Sequence, residues 1–177
     1  MIILIAGDTH TGKTLLAPKL MEKLHYPYLS IDHLKMGLIR SGLCELSALS
    51  SDEELIHYLW PIVREIVKTN IENSQNIIIE GCYIPFGWEM DFSKDELQYI
   101  SYVCLIFSQN YIEHHFEDIM RNENIIEKRQ VTDLLRKDLE KSNRRNLEQC
   151  RARNYPYILI DDHYPNDIKK GLVNVKL

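Results

Sequence analysis

An eight-residue pattern near the start of the chain constrains the fold more than any other feature. It reads GDTHTGKT and is a full match to GxxxxGK[ST]. The pattern directly follows the apolar run 2–6 and directly precedes a segment in which Leu16, Leu20 and Leu24 recur every four residues. A strand that turns through glycines into a helix aims backbone N–H groups and a helix N-terminus at an anion. The sequence therefore predicts a phosphate-binding loop formed by Gly7, Asp8, Thr9, His10, Thr11, Gly12, Lys13 and Thr14.

Individual positions of this loop have separate predicted tasks. Gly7 and Gly12 allow backbone conformations and a close approach to a ligand that a Cβ would obstruct. Lys13 is expected to reach the β- and γ-phosphates of a nucleotide, and the Thr14 hydroxyl is expected to ligate Mg²⁺. His10 is interpreted as a solvent-facing residue without a catalytic role.

Continuous apolar runs, rich in β-branched and aromatic residues, predict four strands over 2–6, 77–79, 102–107 and 157–160. The runs do not alternate with polar residues, which is typical of parallel strands buried on both faces. Residues 26–31 form a weaker fifth candidate, because Pro27 must lie at its start or on an edge of the sheet.

Helical segments separate these runs. The helix after the loop contains Pro18, which should loosen its first turn. Ser51 and Glu54 form a capping box that begins a helix over about 52–71, bent at Pro61. A longer stretch over about 110–154 predicts two or three further helices. This alternation predicts an α/β chain with a three-layer α/β/α fold around a parallel sheet of about five strands.

Length and composition narrow the range of possible functions. The chain has 177 residues, so a single domain over 1–177 is expected. Its net charge of −5 argues against a general polyanion binder and therefore against a nucleic-acid partner. No run reaches the roughly 18 apolar residues of a membrane span, so no membrane partner is expected. The four cysteines form no CxxC pair, which favours reduced thiols and a cytoplasmic location.

With this loop near its start, the sequence resembles the P-loop kinases of small molecules. These include adenylate kinase-like nucleoside monophosphate kinases, shikimate kinase, gluconate kinase, chloramphenicol phosphotransferase and the zeta toxins. The resemblance implies a P-loop NTPase fold, ATP and Mg²⁺ as cofactors, and a small-molecule acceptor. It also implies an acceptor-binding helical region over 32–75, a lid with its helices over 110–154, and a loop around 162–165 that packs against adenine.

Two carboxylates at predicted strand ends are candidate catalytic residues. Asp32 matches the position at which the hydroxyl-phosphorylating members of the family carry a proton-accepting aspartate; alternatively, it caps the helix expected over 34–39. Glu80 follows three isoleucines, where the family places its Walker B acid. It would hold Mg²⁺ through water or orient the acceptor, and its alternative is an ordinary charged residue at a strand end. A carboxylate buried there would need a nearby cation, which favours the functional interpretation.

A basic segment coincides with the expected lid. Residues 121–153 contain ten basic and six acidic side chains, a local charge of +4 in an acidic chain. Arg121 and Arg129 are spaced to share a helix face, and both are candidate catalytic residues that stabilise the transferring phosphoryl group, with Arg121 also a candidate for binding ATP. The alternative is a solvated helix of mixed charge.

The acceptor region departs from the pattern of nucleotide kinases. Met36 stands where those kinases carry a phosphate-gripping arginine, with Lys35 and Arg40 as possible substitutes. The arginine expected after the third strand is also missing, and aromatic residues follow instead: Tyr83, Phe86 and Trp88. These side chains suit a ring or an apolar face with a polar handle if they line a pocket, and they are otherwise core residues.

The leading hypothesis is an enzyme that transfers the γ-phosphate of Mg-ATP to a hydroxyl of a small molecule. Three alternatives stay open: a nucleoside monophosphate or nucleoside kinase, a regulatory nucleotide-binding ATPase without an acceptor, and a polynucleotide 5′-hydroxyl kinase. The sequence does not name the acceptor.

Overall fold

The computed structural model describes residues 1–121, 136–162 and 164. The strands are β1 (Ile2–Gly7), β2 (Tyr28–Ser30), β3 (Ile77–Glu80), β4 (Ile100–Phe107) and β5 (Tyr157–Ile160). The helices are α1 (Lys13–Leu24), α2 (Ile31–Arg40), α3 (Asp52–Glu72), α4 (Lys94–Leu97), α5 (Gln109–Arg121) and α6 (Arg136–Arg153), with a 3₁₀ turn at Trp88–Asp91. None of the helices in these residues is long and apolar enough to cross a membrane.

The five strands form one parallel sheet in the order β2-β3-β1-β4-β5, flanked by helices. The predicted three-layer α/β/α fold is therefore confirmed. Each of the four apolar runs identified in the sequence lies within a strand, and every residue of β1 is buried. β2 is short and lies at an edge, in agreement with the position of Pro27 immediately before it.

The chain divides into two compact units that interleave in sequence. The first comprises residues 1–6 and 17–101. Its apolar core includes Ile31 and the buried face of α3, with Leu59 and Val63 fully covered. Trp60 and Trp88 both contact the ring of Phe92 edge-on, with centroids 6.4 and 6.1 Å away.

The second unit comprises residues 7–16 and 102–177. Its core is built on β4 and on the helices α5 and α6, with Leu105, Ile112 and Leu139 fully buried. Phe107 stacks on Tyr111 at the start of α5, with ring centroids 5.1 Å apart. The phosphate loop predicted from the sequence belongs to this unit.

The predicted helices occur with small changes at their ends. α1 contains Pro18 and α3 contains Pro61, as the sequence indicates. Ser51 and Glu54 form the expected capping box, in which each side chain bonds the backbone N–H of the other residue. α2 begins at Ile31, earlier than the predicted start at 34. The stretch 110–154 contains α5 and α6, and residues 122–135 between them lie outside the described part of the chain.

Candidate active site

The loop between β1 and α1 has the backbone conformation that its glycines permit. Gly7 has φ +141° and Gly12 has φ +86°. A Cβ on Gly7 would lie 2.5 Å from the backbone oxygen of Leu105, so a larger residue would require the main chain to move. His10 also has a positive φ, +66°, and is half-buried rather than fully solvent-facing. The loop is therefore held in a tight curve by close contact with β4.

Lys13 folds back over this loop. Its side chain is 5% exposed, and Nζ donates a hydrogen bond to the carbonyl oxygen of Asp8 at 2.7 Å. The hydroxyl of buried Thr11 donates to the same oxygen at 2.7 Å. A lysine ammonium inside a glycine loop at a helix N-terminus suits the charge and the oxygen atoms of a polyphosphate. The residues present thus fit the phosphates of a nucleotide.

The first turn of α1 adds to this anion site. The N–H groups of Leu15 and Leu16 bond the carbonyl of Gly12 at 3.1 and 3.0 Å, so the helix begins directly at the loop. The first N–H groups of a helix point away from its carbonyl ladder and suit an anion. Thr14 lies in this turn, half-buried, and carries the hydroxyl oxygen expected to ligate Mg²⁺.

Asp8 is also held from α6, by residues that the sequence did not single out. Its Oδ1 accepts the N–H of Thr9 at 2.7 Å. Its Oδ2 accepts the side-chain amide of Asn143 at 3.1 Å and the hydroxyl of Ser142. Asn143 is 1% exposed and also accepts the N–H of Phe107 at 2.9 Å. The sequence signal was weak, because Asn143 is one of two asparagines in a helix that is rich in charged and polar residues.

In the first unit, Asp32 lies in the first turn of α2 beside two polar partners. Lys35 Nζ donates to Asp32 Oδ1 at 2.6 Å and to the hydroxyl oxygen of Tyr83 at 2.7 Å. The Asp32 and Lys35 side chains are 26% and 11% exposed. Asp32 does not cap the helix: the N-cap residue is Ser30, which makes no side-chain capping bond. Asp32 is therefore not the N-cap residue of this helix, and Lys35 positions its carboxylate.

Burial and neighbouring charges shift the pKa values of Lys35 and Tyr83. Burial by itself would lower the pKa of Lys35, but the Asp32 carboxylate and the hydrogen bonds to Asp32 and Tyr83 outweigh it, so this pKa is raised above 10.5. Burial, with a contribution from the charge of Asp32, raises the pKa of Tyr83 to about 12. At neutral pH Lys35 is therefore a cation and Tyr83 is a neutral hydroxyl.

Glu80 lies at the carboxyl end of β3 and is 1% exposed. It is in register with Ile5 on one side and with Ser30 on the other. Gly81 follows, and a Cβ there would lie 2.8 Å from the Cβ of Ile31, so this turn is tightly packed against α2. Glu80 is thus a buried carboxylate at a strand end, and its role toward Mg²⁺ stays a prediction.

The three aromatic residues after β3 differ in their burial and in their contacts. Tyr83 is 6% exposed, and its hydroxyl joins the Asp32 and Lys35 group. Trp88 is also 6% exposed and belongs to the core against Phe92. Phe86 is half-buried, and Arg40 is exposed in the last turn of α2.

The basic segment is only partly described. The Arg121 side chain is 75% exposed at the end of α5 and pairs with Asp118 at 3.2 Å. Arg129 lies outside the described residues. In the loop after β5, Tyr164 is described, and a Cβ on Gly12 would collide with its hydroxyl. Tyr164 therefore packs against the phosphate loop itself.

No protein-family model and no curated protein sequence matches the chain. Solved structures do match its fold over almost its whole length. A "putative kinase" from Chloroflexus aurantiacus has a TM-score of 0.61 at 16% identity, covering 98% of this chain and 95% of that one. The fold is that of the P-loop small-molecule kinases.

Two further solved structures with this fold are kinases named after their substrates. Shikimate kinase from Aquifex aeolicus has a TM-score of 0.54 at 16% identity, covering 98% of this chain and 95% of its own. A gluconokinase from Sinorhizobium meliloti has a TM-score of 0.55 at 13% identity, covering 97% and 91%. At these identities the likeness establishes the architecture of the chain.

Proposed function

We propose that this protein is a kinase that transfers the γ-phosphate of Mg-ATP to a hydroxyl group of a small molecule. The observation that carries the proposal is the buried ammonium of Lys13, held on the carbonyl of Asp8 at 2.7 Å inside a glycine loop that opens α1. A lysine ammonium set in a glycine loop at the start of a helix is an arrangement that suits a phosphate chain. The fold shared with kinases of small acids supports the same chemistry.

On the nucleotide side, the residues of the loop would bind and orient. The backbone N–H groups around residues 7–14 and the Lys13 ammonium would hold the phosphates, and the Thr14 hydroxyl would ligate Mg²⁺. When bound, Mg-ATP supplies the transferable phosphoryl group and the metal neutralises part of its charge. Glu80 is proposed to hold the ion through water, and Arg121 and Arg129 are proposed to contact the phosphates.

On the acceptor side, Asp32 is proposed as the general base. Lys35 occupies its Oδ1, which leaves Oδ2 to accept the proton of the acceptor hydroxyl. As that proton moves to Asp32, the hydroxyl oxygen forms a bond to the γ-phosphorus, and the bond to the β-phosphate oxygen breaks to release ADP. Lys35 fixes the orientation of the carboxylate throughout, because its bond to Tyr83 holds it from the other side.

The same contacts favour a hydroxyl acceptor over a nucleoside monophosphate. A phosphate dianion is best held by an arginine fork, and the matching position carries Met36. Lys35 is already engaged by two partners, one of them a carboxylate that would repel a dianion. A nucleoside, which presents a hydroxyl and an apolar ring, is compatible with the site and is a second candidate acceptor.

The test is ADP release from Mg-ATP against a panel of sugars, hydroxy acids, aromatic alcohols, nucleosides and nucleoside monophosphates, with Lys13→Ala as the blank. For an acceptor that supports turnover, Asp32→Asn should lower kcat by about 10² to 10⁴-fold, the usual contribution of a general base. Affinity for ATP should be unchanged, because the substitution leaves the phosphate loop intact.

Asp52→Asn is the matched control, since Asp52 also lies in the first turn of a helix and is exposed. Both substitutions remove one charge near a helix N-terminus, and only that of Asp32 removes the proposed base. Full turnover by Asp32→Asn would exclude it as the base. Binding of ATP without product from any acceptor would favour the regulatory ATPase instead.

A further inference from the structure

Asp8 is the residue at which two sets of contacts meet. Its backbone carbonyl accepts from Lys13 Nζ and from the Thr11 hydroxyl, both at 2.7 Å. Its carboxylate accepts from the Thr9 N–H, from Ser142 and from Asn143. One set of bonds is internal to the phosphate loop, and the other connects the loop to α6. A shift of Asp8 would therefore move the acceptor of the Lys13 ammonium.

Three hydrogen bonds hold the side chain of Asn143 in the second unit. Its side chain is 1% exposed, and its amide nitrogen donates to the carbonyl of Leu139 at 2.9 Å as well as to Asp8. Its amide oxygen accepts the N–H of Phe107 at the end of β4. The three bonds fix the orientation of the amide, because a flipped amide would place a donor against the Phe107 N–H. The end of β4 and α6 thus determine where the donor to Asp8 lies.

The charge of Asp8 explains why such a support is needed. A carboxylate in a phosphate-binding loop would repel the ligand if it turned toward it. Ser142 and Asn143 provide donors on the α6 side that keep the carboxylate turned to that helix. Hydrogen bonds to a charged acceptor are among the stronger ones in proteins, so two of them suffice to select one orientation.

We propose that Asn143, assisted by Ser142, is a positioning residue for nucleotide binding: through the Asp8 carboxylate it sets the loop conformation that places Lys13. This inference rests on the proposed function, since it assumes that the loop binds a nucleotide. It assigns a role in nucleotide affinity to α6, a helix outside the sequence motif. Asn143 itself contacts no substrate in this proposal.

The experiment is a double-mutant cycle read by the Kd for Mg-ADP, with tripolyphosphate as a second probe that contacts only a phosphate site. Asn143→Ala and Asp8→Ala should each weaken Mg-ADP binding roughly tenfold, equivalent to about 1.4 kcal/mol. The double variant should be no weaker than either single variant, because both changes remove the same contact. Tripolyphosphate should lose the same factor as Mg-ADP.

Two controls separate positioning from general loosening. Leu139→Ala removes a fully buried side chain from the same helix and should lower stability while leaving the Kd nearly unchanged at a temperature where the protein is folded. Asn146→Ala removes a matched amide from α6 at a half-buried position. If Asn143→Ala does not fold, Ser142→Ala tests the same contact from a more exposed residue and should weaken binding several-fold.

The outcomes are distinct. Additive losses in the double variant, an unchanged Kd in Asn143→Ala, or an equal loss in Leu139→Ala would each overturn the inference. If Lys13→Ala weakens binding and Asn143→Ala does not, the inference fails and the proposed function stands. If the unsubstituted protein binds neither probe, both proposals fail together.

Discussion

Single residues of the phosphate loop differ in how much substitution they tolerate. Gly7→Ala would place a methyl group 2.5 Å from a backbone oxygen of β4 in addition to its positive φ. In Gly12→Ala the atoms nearest to the new methyl group belong to the hydroxyl end of the Tyr164 side chain, which is displaced more easily than a backbone, so the strained backbone dominates there. A residue with a Cβ in a left-handed conformation costs about 1–2 kcal/mol. We expect Gly12→Ala to lower the free energy of unfolding by about that amount. Gly7→Ala should lower it clearly more, because a backbone clash adds about 1–3 kcal/mol.

Urea unfolding of the two variants measures this difference in the free energy of unfolding. Gly37→Ala is the control, because Gly37 lies inside α2 and a Cβ there meets nothing within 4 Å. It should stabilise the protein by about 0.5–1 kcal/mol, the usual gain for alanine over glycine in a helix. Equal losses for Gly7→Ala and Gly12→Ala would show that the contact with Leu105 is not a constraint.

Tyr83 and Lys35 give a prediction about alkaline pH. Both pKa values are raised in the folded protein, that of Tyr83 to about 12, so the folded state retains protons that the unfolded chain releases above pH 10. The contribution of these two groups to stability should therefore be constant below about pH 10 and should fall as the pH rises toward 12. Tyr83→Phe removes one titrating group and should make the decline shallower.

The check is the free energy of unfolding at pH 8, 9, 10 and 11, measured by denaturant unfolding with tryptophan fluorescence as the signal. The difference in tyrosinate absorbance between the unsubstituted protein and Tyr83→Phe provides an independent reading of the Tyr83 titration. A decline of the same steepness in Tyr83→Phe would contradict the assignment of this proton to Tyr83.

The residues of the phosphate loop were predictable because they are contiguous, and the motif with its strand and helix determines the local structure. The pairing of Asp32 with Lys35 could also have been predicted, because residues three positions apart lie on the same face of a helix. The contact of Asp8 with Asn143 was not, since it joins residues separated by 135 positions and depends on how α6 packs. Which contacts Tyr83 and Trp88 make, the one to Lys35 and the other to Phe92, was equally a matter of tertiary packing.

At the scale of elements, the sequence predicts the strands well because their apolar runs are continuous. The start of α2 was predicted three residues late, since Ser30 and not Asp32 is its N-cap residue. An aspartate in the first turn interacts favourably with the helix dipole without capping, so the two positions look alike in a sequence. The capping box of α3 was predicted correctly because Ser51 and Glu54 form a local pair.

Two capping boxes of the same design allow a matched test. Ser51 accepts the Glu54 N–H at 3.3 Å, and Ser93 accepts the Glu96 N–H at 3.2 Å. Ser51→Ala should destabilise the protein by about 1 kcal/mol, the usual contribution of an N-cap serine. Ser93→Ala should cost less, because α4 has four residues and none of them is buried, whereas α3 carries five buried side chains.

The Ser51 box also predicts a dependence on acid. Hydrogen bonds from Ser51 lower the pKa of Glu54 below 4.5, so the stabilising contribution is present above that pH and is lost as the pH falls through the lowered pKa. Urea unfolding of Ser51→Ala and the unsubstituted protein at pH 7 and pH 3 checks both statements. A difference between the two proteins that grows on acidification would contradict them.

At the scale of the whole molecule, neither compact unit is contiguous in sequence. The chain passes between the units after residues 6, 16 and 101, and α1 has residues in both. Cutting the chain once therefore cannot separate them. The single domain predicted over 1–177 stays a prediction, and the interleaved chain supports it, because unfolding of either unit would release segments that continue directly into the other.

Reporters in each unit make this organisation testable. Both tryptophans, Trp60 and Trp88, lie in the first unit, and the buried thiols of Cys104 and Cys150 lie in the second. In a Cys44→Ser, Cys82→Ser background, urea midpoints from tryptophan fluorescence and from pulsed thiol labelling should coincide, as a cooperative single domain requires. Mg-ADP at about 100 times its Kd should raise both midpoints together, by about 2.7 kcal/mol in stability. Separate midpoints, or a ligand-induced shift confined to the thiols, would instead show that residues 1–6 and 17–101 unfold independently of the unit that carries the phosphate loop.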